Sequence, residues 1–176
     1  GAITHGGDLV MENGYPKASI GGKYSCEGKG WTYSEKDISN LTGKLTLKSN
    51  SGTYDFSLAN PQDTTKTTSA DSAVACAVET QSGVEITGGT FAGSVTNKGT
   101  ITSGTFNGTV ENFVGTISGG TFAGSVTNQG TITSGTFNGK VTNYLHRTIS
   151  GGTFKGTVNN DYGTISGGTF AAGLSK

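Results

Sequence analysis

The second half of the chain repeats one short pattern of apolar residues six times. In each copy an Ile is followed by a Phe five residues later, and by a Val or Leu four residues after that. Successive Phe residues of the copies are 15, 16, 15, 17 and 16 positions apart. A copy this short cannot contain a helix pair or a propeller blade, so each copy is predicted to form one turn of a wound strand that stacks on the next. The anchoring residues are Ile86, Phe91 and Val95; Ile101, Phe106 and Val110; Ile117, Phe122 and Val126; Ile132, Phe137 and Val141; Ile149, Phe154 and Val158; and Ile165, Phe170 and Leu174.

The turns between these anchors have their own pattern of residues. A Gly lies two residues before the Phe of every copy, and in five copies another lies two residues after it, so we expect both corners to need the φ angles that Gly adopts easily. An Asn, which tolerates left-handed φ, lies two residues after the Val in five copies, and its amide could bond to the Asn of the next copy to form a ladder. Only the Val-to-Ile spacing varies, so insertions are expected at this corner alone. The predicted ladder consists of Asn97, Asn112, Asn128, Asn143 and Asn160.

These spacings predict an all-β parallel solenoid with short three-sided coils of 15–17 residues. At about 4.8 Å per coil, six coils make a rod about 25–30 Å long. The regular solenoid is predicted over residues 81–176. Residues 1–80 lack the strict repeat, and strands are expected there at 44–48, 54–58 and 73–78. That first region is interpreted as longer irregular coils of the same solenoid or as a β-domain that caps it.

Composition limits the classes of function. Hydrophobic residues make up 31% of the chain, but they recur at fixed intervals, which favours an ordered β-fold. Lys and Arg number 12 and balance 12 Asp and Glu, so the charge gives no reason to expect binding to nucleic acid or to an anionic membrane. No apolar run approaches the length of a membrane-spanning helix, so membrane insertion is not expected. Because the chain opens without a Met, we expect it to be a segment of a longer exported precursor.

The two cysteines, Cys26 and Cys76, lie outside the repeats. In an exported chain they could form a disulfide that closes a loop of about fifty residues, worth about 3–4 kcal/mol in the chain-entropy model. Alternatively, they are two buried thiols that behave as small hydrophobic residues. Their spacing does not match that of metal ligands.

Two copies of the repeat return almost unchanged. Residues 86–97 (ITGGTFAGSVTN) recur as residues 117–128 (ISGGTFAGSVTN). In this the chain resembles the Gly/Thr-rich β-solenoid repeats of large bacterial cell-surface, adhesin-like proteins, and residues 28–47 are similar to the opening of their carbohydrate-binding-type β-helix modules. The resemblance implies an extracellular or cell-surface location, with partners among host or cell-wall glycans and surface proteins. It brings no catalytic motif and no cofactor.

Aromatic residues at the variable corner are the first candidates for ligand binding. Exposed rings there could stack on sugars, or they could fold back and shield the edge of the Asn ladder. The lone Trp, with nearby Tyr residues, is a second candidate, although a single Trp in such a region is usually part of a core. The candidate ligand-binding residues are Phe113, Tyr144, His146, Arg147, Tyr162 and Trp31.

A flat array of hydroxyl groups is a third candidate. Thr residues flank the Ile column, as in Thr100 and Thr102 or Thr131 and Thr133, and regular Thr arrays on short-coil solenoids resemble ice-binding insect proteins. Thr is also a good solvent-facing strand former, which explains the pattern without any ligand. Three of the five rungs have Ser as their second residue.

Catalysis is not expected, because the acidic residues of the repeats share no column and the two His residues lie far apart in the sequence. The sequence therefore predicts a non-enzymatic extracellular structural or adhesin-like module of a bacterial surface protein. The alternatives are a polysaccharide-binding module and an ice-binding protein. Self-association, end to end or as a dimer, is a further expectation.

Overall fold

The computed structural model is an all-β parallel solenoid with coils of about 16 residues, which confirms the predicted fold class. It describes residues 9–12, 15–18, 44–48, 53–57, 73–74, 77–172 and 174–175. Within these ranges the regular structure consists of strands and contains no helix. Each coil contributes its Ile, its Phe and its Val or Leu to three ladders of parallel strands.

The Phe ladder is a sheet of six two-residue strands, in which each Thr-Phe pair lies in register with the next. Strands this short are stable only as part of such a stack, because each one contributes few hydrogen bonds of its own. They are β7 (Thr90–Phe91), β10 (Thr105–Phe106), β12 (Thr121–Phe122), β14 (Thr136–Phe137), β17 (Thr153–Phe154) and β20 (Thr169–Phe170).

The Val and Ile ladders belong to one sheet of 15 strands, because two strands run continuously from a Val to the following Ile. These two are β11 (Val110–Ile117) and β13 (Val126–Ile132). The other strands of the Val ladder are β5 (Ala77–Thr80), β8 (Val95–Asn97), β15 (Val141–Asn143), β18 (Val158–Asn160) and β21 (Leu174–Ser175). The other strands of the Ile ladder are β4 (Thr53–Asp55), β6 (Glu85–Gly88), β9 (Thr100–Ile101), β16 (Thr148–Ile149) and β19 (Thr164–Ile165).

Strands of the first region continue the Val ladder beyond the regular repeats. Strand β3 (Lys44–Lys48) pairs in parallel with β5, and β1 (Leu9–Glu12) pairs in parallel with β3. The sheet ends with β2 (Tyr15–Ala18), which is antiparallel to β1. The predicted division near residue 80, the three-sided cross-section and the cap stay predictions.

The Phe side chains form a continuous column through the core. The rings of Phe91, Phe106, Phe122, Phe137 and Phe154 are fully buried. From Phe91 to Phe170 neighbouring ring centroids lie 4.7–4.9 Å apart, with interplanar angles of 3–8°. The rings therefore stack at the spacing of the strands that carry them. The Ile and Val columns beside them are buried as well, except in the last coil, where Ile165 and Phe170 are half-buried.

One coil precedes the six that the sequence shows. Tyr54 pairs with Ile86, Val74 forms a bridge with Phe91, and Val78 pairs with Val95. All three earlier residues are buried. Val74 and Val78 keep the spacing of four, but twenty positions separate Tyr54 from Val74 in place of five. Because of the extra residues between Tyr54 and Val74, the repeat pattern of the sequence does not show this coil.

The structure separates two reasons for Gly at the corners. The Gly before each Phe has a φ between +104° and +130°, as in Gly120, which is the backbone conformation expected from the sequence. The Gly two residues after the Phe, present in five coils, does not have a positive φ, so that expectation was wrong for the second corner. At Gly124 a Cβ would lie 2.3 Å from the carbonyl oxygen of Gly108, so the close approach of successive coils requires Gly there.

Candidate functional site

The corner between Val and Ile is built on a ladder of Asn side chains. The Nδ2 of each Asn donates to the Oδ1 of the next, at 2.8–2.9 Å from Asn97 to Asn160. Below Asn97, the hydroxyl of Thr80 donates to its Oδ1 at 2.7 Å. The amides also bond to the corner backbone, for example from Asn112 Nδ2 to Gly115 O at 3.1 Å. Because each Asn begins a corner loop and its amide bonds to the backbone near the end of that loop, the ladder holds both ends of the loop.

In the corner loops that follow the ladder Asn residues, three residues have an unusual backbone φ angle. Among the described residues, positive φ angles outside Gly occur only at Val114 (53°), His146 (61°) and Tyr162 (57°). All three lie in the variable corner, whereas the Asn residues expected to tolerate this conformation do not adopt it. A branched side chain such as Val is a clear outlier there. Such strained residues concentrate at binding sites and at other functional positions.

The same corner holds the large apolar side chains that face solvent. Among the described residues, every exposed large hydrophobic side chain lies between an Asn of the ladder and the next Ile. They are Phe113 (41%), Val114 (60%), Tyr144 (39%), Leu145 (52%) and Tyr162 (83%). Together these five residues are called the aromatic edge. Their exposure leaves much of their surface available for contact.

Two members of the aromatic edge lie in one file along the rod. Phe113 pairs with Gln129, and Tyr144 lies one coil further on, where its N–H donates to Asn128 O at 3.2 Å. Two coils separate the rings of Phe113 and Tyr144, which corresponds to about 10 Å along the axis. Tyr162 is connected to the neighbouring loop, because His146 N donates to Tyr162 O at 3.4 Å.

Charged groups of both signs flank this edge. The Nζ of Lys98 lies 5.8 Å from the ring centroid of Phe113 and 3.6 Å from a carboxylate oxygen of Glu79. The structure places His146 and Arg147 in the longest corner loop, beside Tyr144. The site is therefore amphipathic, with exposed rings beside polar and charged groups and no single dominant charge.

The Thr rungs of the Ile ladder lie in register along the rod, from Thr100 to Thr164. The second residue of several rungs uses its hydroxyl within the protein, since Thr102 donates to Ile86 O at 3.1 Å and Thr133 to Ile117 O at 3.4 Å. Fewer hydroxyls are then free to order water. Ice binding stays a prediction, which a thermal hysteresis measurement can test.

A groove follows the corner between Ile and Phe. Its larger section has a volume of about 800 Å³ and is lined mainly by Gly, Ser and Thr residues, together with Asp55, Phe56 and Ala73. The section beyond it is lined by Gly, Ser and Thr alone. Unlike the aromatic edge, this groove has no exposed ring, and Asp55 is the one charged side chain among the described residues that line it.

Three of the residues named from the sequence, Trp31, Cys26 and Cys76, lie outside the described residues. Within the described ranges, no three His, Cys, Asp or Glu side chains are placed so that they could hold a metal ion. Those ranges also contain no helix that is long and apolar enough to cross a membrane.

The fold and the site define this chain as a parallel β-solenoid repeat protein with one exposed aromatic edge. Comparison of the chain with models of protein families, with curated proteins and with solved structures found no match.

Proposed function

We propose that the chain is a non-enzymatic, extracellular structural and adhesin-like module of a bacterial surface protein. The observation that carries the proposal is the aromatic edge, in which all the exposed large hydrophobic side chains of the described residues lie along one corner of a rod. Isolated exposed apolar residues are normal on a protein surface, but a concentration of them on one edge is typical of an interaction surface.

The architecture explains why this corner is suited to display. The Asn ladder fixes both ends of each corner loop, so the loop between them can change in length without disturbing the stacked core. The loop after Asn97 is short, whereas the loop after Asn143 holds Tyr144, Leu145, His146 and Arg147. A rod of repeated coils holds such loops at regular intervals on a rigid support.

Two measurements test this proposal. Antibodies raised against the chain should label intact, unpermeabilised cells of the source organism. Beads coated with the chain should adhere to host cells or to a neighbouring bacterial surface. Beads coated with the variant Phe113→Ser/Tyr144→Ser/Tyr162→Ser should lose adhesion, and those with the matched control Thr109→Ala/Thr157→Ala should keep it. Labelling that requires permeabilised cells would overturn the proposed extracellular location. If beads with the edge variant adhere as well as beads with the control variant, the aromatic edge does not mediate adhesion.

A second candidate is binding of a polysaccharide at the same edge. It is favoured by the file that contains Phe113 and Tyr144, whose rings lie two coils apart with Gln129 between them. Aromatic rings can stack on the apolar faces of sugars, and an intervening amide can bond to their hydroxyl groups. The rod would then align an extended glycan along its axis.

A glycan array tests the second candidate. The unaltered chain should retain particular glycans, and the Tyr144→Ala/Tyr162→Ala variant should lose them while Thr109→Ala/Thr157→Ala does not. Binding that survives the loss of both Tyr residues would contradict a glycan site that includes Tyr144. An array without signal, combined with bead adhesion, would favour a protein partner.

A further inference from the structure

Two Asn-Gly pairs lie at the corner between Phe and Val, and in each the Gly is half-buried. They are Asn107-Gly108 and Asn138-Gly139, and both Asn residues are exposed. The same position one residue after the Phe is occupied by Ala92 and Ala123 in two other coils, and by Lys155 in a third. The fold therefore does not require an amide at this position.

These two Asn residues differ from those of the ladder in their contacts. A ladder Asn such as Asn128 is fully buried, and its amide bonds to Asn112, Asn143 and the corner backbone. Among the hydrogen bonds of the described residues, none holds the side-chain amide of Asn107 or of Asn138. Their side chains are therefore free to turn toward the following peptide bond.

The following peptide nitrogen is also free. The amide N–H of Gly108 and that of Gly139 donate no hydrogen bond within the described chain, whereas the equivalent Gly156 N–H donates to Phe137 O at 3.4 Å. Gly carries no side chain that would hinder attack by its nitrogen. The close packing of coils requires Gly at this position, because a Cβ at Gly108 would lie 2.4 Å from Gly93 O.

We propose that Asn107 and Asn138 are sites of spontaneous covalent modification by deamidation. The deprotonated nitrogen of Gly108 or Gly139 attacks the side-chain carbonyl carbon of the preceding Asn and forms a C–N bond. The bond to the side-chain nitrogen breaks, and ammonia leaves with the displaced proton. Water then adds to one carbonyl of the resulting five-membered imide and opens the ring to aspartate or isoaspartate. The sum is one water consumed and one ammonia released, with no change in oxidation state.

The modification changes the surface charge of the rod. Each conversion adds one negative charge to a chain whose formal net charge is zero. At Asn138 the new carboxylate appears two residues from Lys140, and beside the coil position of Lys155. The two conversions would therefore make this corner more acidic as the protein ages, and the one at Asn138 would bring opposite charges together where a neutral amide stood.

The test is incubation of the purified folded chain at neutral and at mildly alkaline pH, followed by peptide mapping with mass spectrometry and an isoaspartate assay. Peptides that contain Asn107 and Asn138 should gain the mass that replacement of NH₂ by OH produces, faster at the higher pH. Peptides with Asn112, Asn128 and Asn143 should stay unchanged over the same period. Peptide-level resolution separates these sites from Asn13-Gly14, which lies outside the described residues.

Single variants provide the matched controls. Asn107→Ala and Asn138→Ala copy the residue that other coils carry at this position, so each should keep the unfolding midpoint of the parent and lose only its own signal. The parent chain in denaturant supplies the rate without the fold. Conversion at both sites in denaturant but at neither in the folded rod would overturn the proposal, as would conversion of the ladder Asn residues at an equal rate.

Discussion

Among the described residues, the Asn side chains of the ladder and those that follow Phe106 and Phe137 differ in burial and in hydrogen bonding. The ladder residue Asn128 is fully buried, and both ends of its amide are bonded. The exposed Asn107 is held by no such bond among the described residues. A buried polar group must keep its partners, because leaving a donor or acceptor without one costs about 1–3 kcal/mol. The two classes should therefore respond very differently to the same substitution.

Asn128→Ala should destabilise the rod by about 2–4 kcal/mol, since the bonds to Asn112, Asn143 and Gly130 N are lost together. Asn107→Ala should change the stability by less than about 0.5 kcal/mol. Denaturant unfolding of both variants measures the difference. Equal free energies of unfolding would show that the ladder does not stabilise the coil.

The Gly residues after each Phe permit a second prediction at this scale. Gly124→Ala should destabilise the rod by about 1–3 kcal/mol, because the new Cβ would lie 2.3 Å from Gly108 O and the coils would have to separate. Ala123→Ser, at the exposed neighbouring position, is the control and should be nearly neutral. Thermal unfolding of the two variants would reveal an error in the coil spacing if Gly124→Ala proved as stable as the control.

The sequence predicts some features of single residues and not others. The positions of the Asn residues and of the Gly residues were visible in the repeat, because each recurs at a fixed distance from an anchor. The strained angles of Val114, His146 and Tyr162 were not visible, since Val and Tyr rarely adopt a positive φ and none of the three residues recurs at a fixed place in the repeat. The length of each corner loop, together with the fixed ladder beneath it, imposes these angles.

The short strands of this fold are stable only within their ladders. Each strand of the Phe ladder consists of two residues, and four of the six have a strand on both sides. The stability of these strands therefore comes from the neighbouring coils. Each buried ring, such as Phe122, contacts the ring above and the ring below at 4.7–4.8 Å. Aromatic contacts of this kind add to the stability gained from burial alone. One ring therefore connects three coils.

Phe122→Ala should destabilise the rod by about 3–5 kcal/mol, because it removes a buried ring and leaves a cavity between Phe106 and Phe137. Phe170→Ala, in the last coil, should cost clearly less, since that ring is half-buried and stacks on Phe154. Chemical unfolding monitored by circular dichroism compares the two. A larger effect at Phe170 would contradict the assignment of the core column.

In the irregular first region, spacing alone locates strands better than it locates coils. Strands are predicted at 54–58 and 73–78, and the structure has Thr53–Asp55, a bridge at Val74 and Ala77–Thr80 there. That Tyr54, Val74 and Val78 belong to one coil was missed, because an insertion breaks its spacing. The antiparallel strands Leu9–Glu12 and Tyr15–Ala18 were also missed. The dipeptide Asn13-Gly14 between them is a strong signal for a two-residue hairpin and could have located them. By contrast, the strand predicted at 44–48 is present with those bounds.

At the scale of the whole molecule, the rod behaves as a row of coils that contact only their neighbours. Its stability is then close to a sum of coil terms and interface terms, and its length follows from the number of coils. The near-identity of residues 86–97 and 117–128 marks two coils as one interchangeable unit. Removal of a whole two-coil unit should therefore leave each remaining coil stacked on a coil of the same kind as before.

Deletion of residues 101–131 should give a folded, shorter rod. The cut joins Thr100 directly to Ile132, so the Thr-Ile pair of the Ile ladder is restored and Phe91 can stack on Phe137. Small-angle X-ray scattering should show a maximum dimension smaller by about 10 Å, and unfolding should stay cooperative with a lower midpoint, because two coils and their interfaces are gone. Deletion of residues 101–119 is the control, since it joins Thr100 to Gly120 and leaves a coil without its Ile. That control should lose cooperative unfolding, whereas equal behaviour of the two deletions would mean that stacking in register does not govern this fold.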